Sequence, residues 1–112
     1  MVEYNTENLD ALFHALADPT RRAMLKALTE QNMYVGDLAK PFEMSLAAAS
    51  KHIRVLEQAG LINRRVQGRN HICELNAGPM HGGLEWIQHY QRYWNQQLDT
   101  LEQLLNKPDP ID

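Results

Sequence analysis

Between Ser45 and Gly60 the apolar residues Ala49, Ile53 and Leu56 recur at three- and four-residue steps, flanked by Ala48, Val55 and Ala59, with no proline or glycine between. That period predicts a helix with one buried stripe. Ser45 is placed to cap its first amides, and Gly60 to end it in a left-handed turn. Its opposite side carries Ala47, Ser50, Lys51, Arg54 and Gln58, small and basic side chains suited to a polar, anionic partner.

Further helical patterns precede and follow this one. Leu9, Leu12, Phe13 and Leu16 form one face of a first helix, capped at Asn5 or Thr6. Asp18-Pro19 restarts the chain as N-cap and first helical residue, predicting a second helix over Thr20 to Thr29 with Met24, Leu25 and Leu28 inward. Arg21 and Arg22 lie in its first turn, against the helix dipole, where solvated charge and contact with a DNA phosphate are about equally expected. Met33-Tyr34-Val35 is a candidate short strand. Val35 to Lys40 reads as a short helix ended by Pro41 and followed by the turn Phe42-Glu43-Met44. Asn76-Ala77-Gly78-Pro79 is a turn, after which a long helix is expected to start near Met80 or after Gly82-Gly83. Leu84, Ile87, Gln91, Trp94, Leu98, Leu101 and Leu105 then step by threes and fours, widened by Tyr90, Gln97 and Leu104. Such a face exceeds what a small core covers, so it predicts a subunit interface with the first helix as companion.

Alternation replaces helical period only in Leu61 to Val66 and His71 to Leu75, strands around the glycine-containing turn Gln67-Gly68-Arg69-Asn70. The short helix, tight turn and longer helix make a helix-turn-helix over residues 35–60, and the hairpin over 61–75 makes a wing beside it. The expected fold is mainly α with a small β-hairpin, a single winged helix-turn-helix domain over residues 1–112 ordered α-α-α-α-β-β-α. Segments 5–17 and 80–105 are its dimerisation helices, and 107–112 is a loose tail.

Charge sharpens the picture. The 112 residues carry a net −3, with a pI near 5.9, at first sight unfavourable for nucleic acid. However, residues 1–44 hold four basic and seven acidic side chains (−3) and residues 76–112 two and five (−3), whereas 45–75 hold five and two (+3). The positive charge is concentrated on the proposed helix and wing. Ser45, Leu46, Ala47, Ser50, Lys51 and Arg54 are the candidate DNA contacts from the helix. Ser50, Lys51 and Arg54 have the hydrogen-bonding groups to reach base edges or phosphates. Leu46 is equally suited to a thymine methyl or to packing on its own domain. Arg69 and Asn70 are the candidates from the wing tip, where an arginine can enter the minor groove. Arg64 and Arg65 point to opposite faces, so at most one joins them; Arg65 is the candidate named, with Arg64 left open. His52, beside the buried stripe, is favoured as a structural histidine over a base reader. Leu9, Leu12, Phe13, Ile87, Tyr90, Trp94, Leu98 and Leu101 are the candidate dimer contacts.

Other chemistry is poorly represented. A 44% hydrophobic, 22% charged chain without an apolar run of roughly eighteen residues predicts a globular protein with no membrane span. An N-terminus without signal-peptide pattern and a single cysteine predict the cytoplasm. No phosphate loop, nucleotide fingerprint or paired carboxylates argue for an enzyme, and no cofactor is expected. His81 and His89 lack the partners of a four-ligand metal site. Cys73 is expected to be a buried small hydrophobe, since a redox sensor would need it exposed with a lowered pKa.

Ala15-Leu16-Ala17-Asp18-Pro19-Thr20-Arg21-Arg22, then Ser50-Lys51-His52-Ile53-Arg54-Val55-Leu56-Glu57-Gln58-Ala59-Gly60-Leu61, then Gly68-Arg69, resembles the ArsR family of bacterial winged-helix repressors. The tail from Trp86 through Tyr90-Gln91-Arg92-Tyr93-Trp94 to Leu105 resembles the SdpR-like branch. The resemblance covers roughly residues 8–105. It implies a homodimeric repressor whose partners are double-stranded DNA and a second copy of itself, with no small inducer in that branch. Metal- or redox-responsive relatives of the same fold are the alternative, followed by a protein-interaction module using the apolar terminal helices.

Overall fold

In the computed structural model, residues 6–106 are described. The Asn5 cap and the tail from Lys107 to Asp112 lie outside them. Five helices and three strands follow in the order α1 (Thr6–Leu16), α2 (Pro19–Leu28), β1 (Met33–Tyr34), α3 (Val35–Ala39), α4 (Leu46–Gln58), β2 (Ile62–Gln67), β3 (Asn70–Leu75) and α5 (Gly78–Leu105). The fold is therefore mainly helical, with one strand more than a bare hairpin. Met33 and Tyr34 pair with Cys73 and Ile72, giving an antiparallel sheet in the order β1-β3-β2.

The helices begin and end for local reasons. The Asp18 carboxylate accepts the Arg21 N–H at 3.0 Å, with Pro19 in the first turn of α2. Ser45 Oγ likewise accepts the Ala48 N–H at 3.1 Å. Gly60 closes α4 at φ +77°, letting Leu61 N–H reach the Leu56 carbonyl at 2.9 Å. Asn76 then fastens the end of α4 to the start of α5. Its Nδ2 donates to Gly60 O at 2.9 Å, while its Oδ1 accepts from Gly78 N–H at 3.1 Å.

One core joins all these elements. Leu12 and Ala15 of α1, Met24, Leu25 and Leu28 of α2, Leu38 of α3, and Ala49, Ile53 and Leu56 of α4 meet Leu61, Ile62 and Cys73. The three α4 residues are those of the predicted stripe, so its other face is left outward.

Two expectations about the terminal helices need correction. The long helix starts at Gly78, earlier than Met80, and runs through Gly82-Gly83 without a break. Gly83 is buried where α5 crosses α1, and a Cβ there would lie 2.5 Å from Leu12 Cδ2. This glycine permits a close helix crossing rather than ending a helix. Leu12 accordingly is only 2% exposed and packed inside its own subunit, so it is not a residue for a partner to cover. Beside it, Phe13 meets Trp86 edge-on at 5.6 Å, and Trp86 stacks obliquely on Tyr90 at 5.1 Å. From Trp86 to Leu105 every residue of α5 is exposed.

Candidate nucleic-acid interface

The outward face of α4 carries Leu46, Ala47, Lys51 and Arg54, all exposed, with Ser50 half-buried among them. Leu46, 61% exposed, is not packed into its own core. Ser45 sits at the head of the same face; its oxygen is engaged as a cap, and its O–H remains free to donate. The wing begins with Ile62 in the core and turns at Gly68, where φ is +61°. A hollow of about 240 Å³ separates the start of α4 from the wing, lined by Tyr34, Val35, Gly36, Leu46, Arg64, Arg69, Asn70 and His71. Leu46, Arg69 and Asn70 thus line one hollow.

Arg65 is not part of this surface. The register sets Arg64 opposite buried Cys73 and Arg65 opposite Ile72, so Arg64 shares the sheet face of Ile62 and Cys73 while Arg65 points to the other. There Arg65 Nε lies 3.5 Å from Glu74 Oε2, and it lines a separate hollow with Tyr34, Asp37 and Ile72. Arg64 lines the hollow in its place. The signal was present in the alternation, because Ile62 starts the strand inside and places Arg64 two residues later on the same side. Its guanidinium is held by Glu57 of α4, which bolts the wing to that helix. Among the described residues, Lys51, Arg54 and Arg69 have no ion pair or hydrogen bond to their charged ends, so their charge is available to a partner.

Arg21 and Arg22 also take roles that the first-turn argument did not anticipate. Arg21 Nε donates to the Ala15 carbonyl and its Nη2 to the His14 carbonyl, both at 2.8 Å, and Arg22 Nη1 donates to the Leu16 carbonyl at 2.7 Å. Both therefore cap the C-terminus of the preceding helix, where carbonyls lack partners and the dipole favours cations. Neither is a freely solvated charge. Arg21 Nη1 also lies 3.1 Å from Nδ1 of His52, which is a structural, hydrogen-bonded histidine.

Asp18 faces the same cluster, with Oδ2 3.8 Å from His52 Nδ1. The Arg21 backbone N–H holds its carboxyl below the ordinary value of 3.8, helped by the Arg21 guanidinium and the Thr20 N–H. A carboxyl lowered on folding stabilises the protein above its unfolded pKa, and that contribution fades as pH falls through the folded one. Asp18→Asn is expected to lose stability at neutral pH and to show a smaller further decline than wild type below about pH 4. Thermal unfolding across an acid series checks this; parallel curves would remove the carboxylate from the account.

Cys73 is fully buried, and burial pushes its thiol up, the reverse of what a reactive thiolate needs. His81 Nε2 pairs with Glu85 Oε1 at 2.7 Å within one helix. Among the described residues no three His, Cys, Asp or Glu side chains converge as a metal site requires.

Comparison with known proteins places this geometry. A family model described as a helix-turn-helix domain matches residues 16–65, the stretch from the end of α1 into β2. The transcriptional repressor SdpR of Bacillus subtilis is 30% identical over 82 residues, covering 73% of this chain and 91% of the relative. A crystal structure of an ArsR family transcriptional regulator is 41% identical, with a TM-score of 0.78 over 85% of this chain and 97% of that one. The solution structure of a homodimeric winged helix-turn-helix DNA-binding domain from Mycobacterium bovis covers 85% of each chain with a TM-score of 0.61. At 23% identity it shows the fold alone.

Proposed function

This chain belongs to the ArsR family of winged helix-turn-helix transcriptional regulators, and from that premise we propose that it is a cytoplasmic repressor binding a palindromic operator as a homodimer. It carries out no catalysis and requires no metal for release. The observation that carries the reading is that, among the described residues, the exposed cations Lys51 and Arg54 of α4 and Arg69 at the wing tip are unpaired in a chain that is otherwise acidic. In this reading α4 enters the major groove, its first turn of Ser45, Leu46 and Ala47 closest to the bases. Ser50, Lys51 and Arg54 follow along the groove, and Arg69 and Asn70 reach the adjacent minor groove from the wing. Residues 35–60 are the reading unit, 61–75 the wing, and α1 with α5 the dimerisation helices. What supports a dimer is the apolar face of α5, together with a fold shared with a domain that is itself homodimeric. The buried Cys73 disfavours a redox-sensing relative.

Duplexes enriched from a randomised pool provide the test. Three phosphate-contacting cations per protomer give about six in the dimer, hence a slope of log K against log salt near −5. Arg69→Ala removes two of these and is expected to shallow the slope by about 2 while weakening binding at low salt. An unchanged slope and affinity would remove the wing from the mechanism. Zinc and a chelator are expected to leave the affinity unchanged.

A further inference from the structure

Among the described residues Arg21 is the one charged side chain in the buried set, 9% exposed, and its three side-chain bonds reach two different helices. Two close the end of α1 through the His14 and Ala15 carbonyls. The third crosses to His52, on the inner flank of the proposed reading helix. On its other side α1 rests on α5 through Leu12 against Gly83 and Phe13 against Trp86. A continuous run of contacts therefore joins the exposed apolar helix to the helix bearing Lys51 and Arg54. We propose that Arg21 and His52 are positioning residues whose hydrogen bond sets the attitude of α4 relative to α1 and α5, and so the separation of the two reading helices in the dimer. This rests on the dimeric, operator-binding reading above and assigns its spacing selectivity to a particular bond.

The chemistry makes the bond conditional. A guanidinium can only donate, so Arg21 Nη1 requires a bare Nδ1 on His52, an imidazole whose proton is on Nε2. The Asp18 carboxylate lies 3.8 Å from the same Nδ1, beyond hydrogen-bond reach, so the close partner of that nitrogen is Arg21. Asp18 and Arg21 are the charged groups that α2 and its cap present to His52. From α1 the groups in the cluster are the His14 and Ala15 carbonyls, the His14 side chain being exposed. On the other elements packed against α4, Arg64 of β2 is paired with Glu57, and Asp37 of α3 lies 3.7 Å from Lys40, the residue that follows that helix. On α4 itself, the residues three and four positions from His52 are Ala48, Ala49, Val55 and Leu56. The cluster is therefore confined to three side chains, Asp18, Arg21 and His52.

Palindromic duplexes enriched by the wild-type protein, rebuilt with their half-sites one base pair closer and one farther, read this directly. Arg21→Ala is unsuitable, because it also strips the α1 carbonyls of their donors. His52→Leu removes only the acceptor and is expected to reduce discrimination between the enriched and altered spacings about tenfold, the worth of one hydrogen bond to a charged group. His52→Asn sets an amide oxygen near the position of Nδ1 and takes up no proton. It is expected to restore discrimination to the wild-type level. A histidine that merely fills space would not give that rescue. Should His52→Leu not fold, His52→Ala takes its place in the comparison. Wild-type spacing preference in the variant that lacks the acceptor, or no rescue by His52→Asn, overturns the proposal alone. A wild-type protein that enriches no duplex overturns the operator-binding reading and this inference with it.

Discussion

Trp94→Ala and Leu98→Ala are expected to weaken operator binding strongly, although both residues lie on a helix that carries none of the cations assigned to DNA. A single reading helix covers only a few base pairs, so a palindrome is held tightly only when two are fixed about one DNA turn apart. In one protomer Trp94 is 63% exposed and Leu98 56%, with Ile87, Leu101 and Leu105 continuing the same face. An apolar surface of that extent is what a second copy would bury. Truncating a large apolar residue in such an interface costs about 2 to 5 kcal/mol, and part of that loss appears as dissociation. At about 1.4 kcal/mol per decade, operator affinity is expected to fall by at least about tenfold in each variant. Sedimentation of the wild type at micromolar concentration and operator titration of all three proteins decide the matter. A wild-type monomer that binds a palindrome no more tightly than its variants would sink the dimer and leave the apolar helix unexplained.

The parts of the fold that were legible in the sequence are those whose cause is local. Asp18 before Pro19, Ser45 before an apolar stripe, and Gly60 after it each act within a few residues, and their caps stand where the pattern puts them. Ala49, Ile53 and Leu56 were legible as the buried face of α4 because a single period of 3.6 carries the information. The outward face followed by subtraction, and with it most of the candidate contacts.

What was illegible depends on partners distant in the chain. Arg21 and Arg22 read as solvent-facing when only their own helix is considered, since a first-turn cation opposes the dipole. The carbonyls that hold them belong to α1, folded back across the Ala17-Asp18 corner. The choice between Arg64 and Arg65 hinged on which residue of β2 first enters the core, a matter of register. Leu12 had the right period for an interface helix, yet whether such a residue faces its own core or a second subunit depends on where α5 crosses.

Of the glycines in the described residues, Gly83 at that crossing would bring an added Cβ closest to a neighbour, and substitutions at Gly82 and Gly83 are expected to act in opposite directions. Both are glycines inside α5, where replacement by alanine ordinarily favours a helix by about 1 kcal/mol. At Gly82 an added Cβ meets nothing within 4 Å, so Gly82→Ala is expected to raise stability by about that amount. At Gly83 it would lie 2.5 Å from Leu12 Cδ2, well inside the ordinary separation of carbon atoms, and Leu12 has no solvent to move into. Overpacking costs about 1 to 3 kcal/mol, so Gly83→Ala is expected to lose on balance and Gly83→Val to lose more. Leu12→Ala alone should cost about 2 to 5 kcal/mol by opening a cavity at the same point. In the double variant the new methyl occupies space that Leu12 has vacated, so the combined loss should be smaller than the sum by about 1 to 3 kcal/mol. Denaturant unfolding at one fixed protomer concentration measures all of these. Gly83→Ala as stable as Gly82→Ala, or an additive double variant, would mean that the crossing relaxes freely and that α1 is not held against α5 at Gly83.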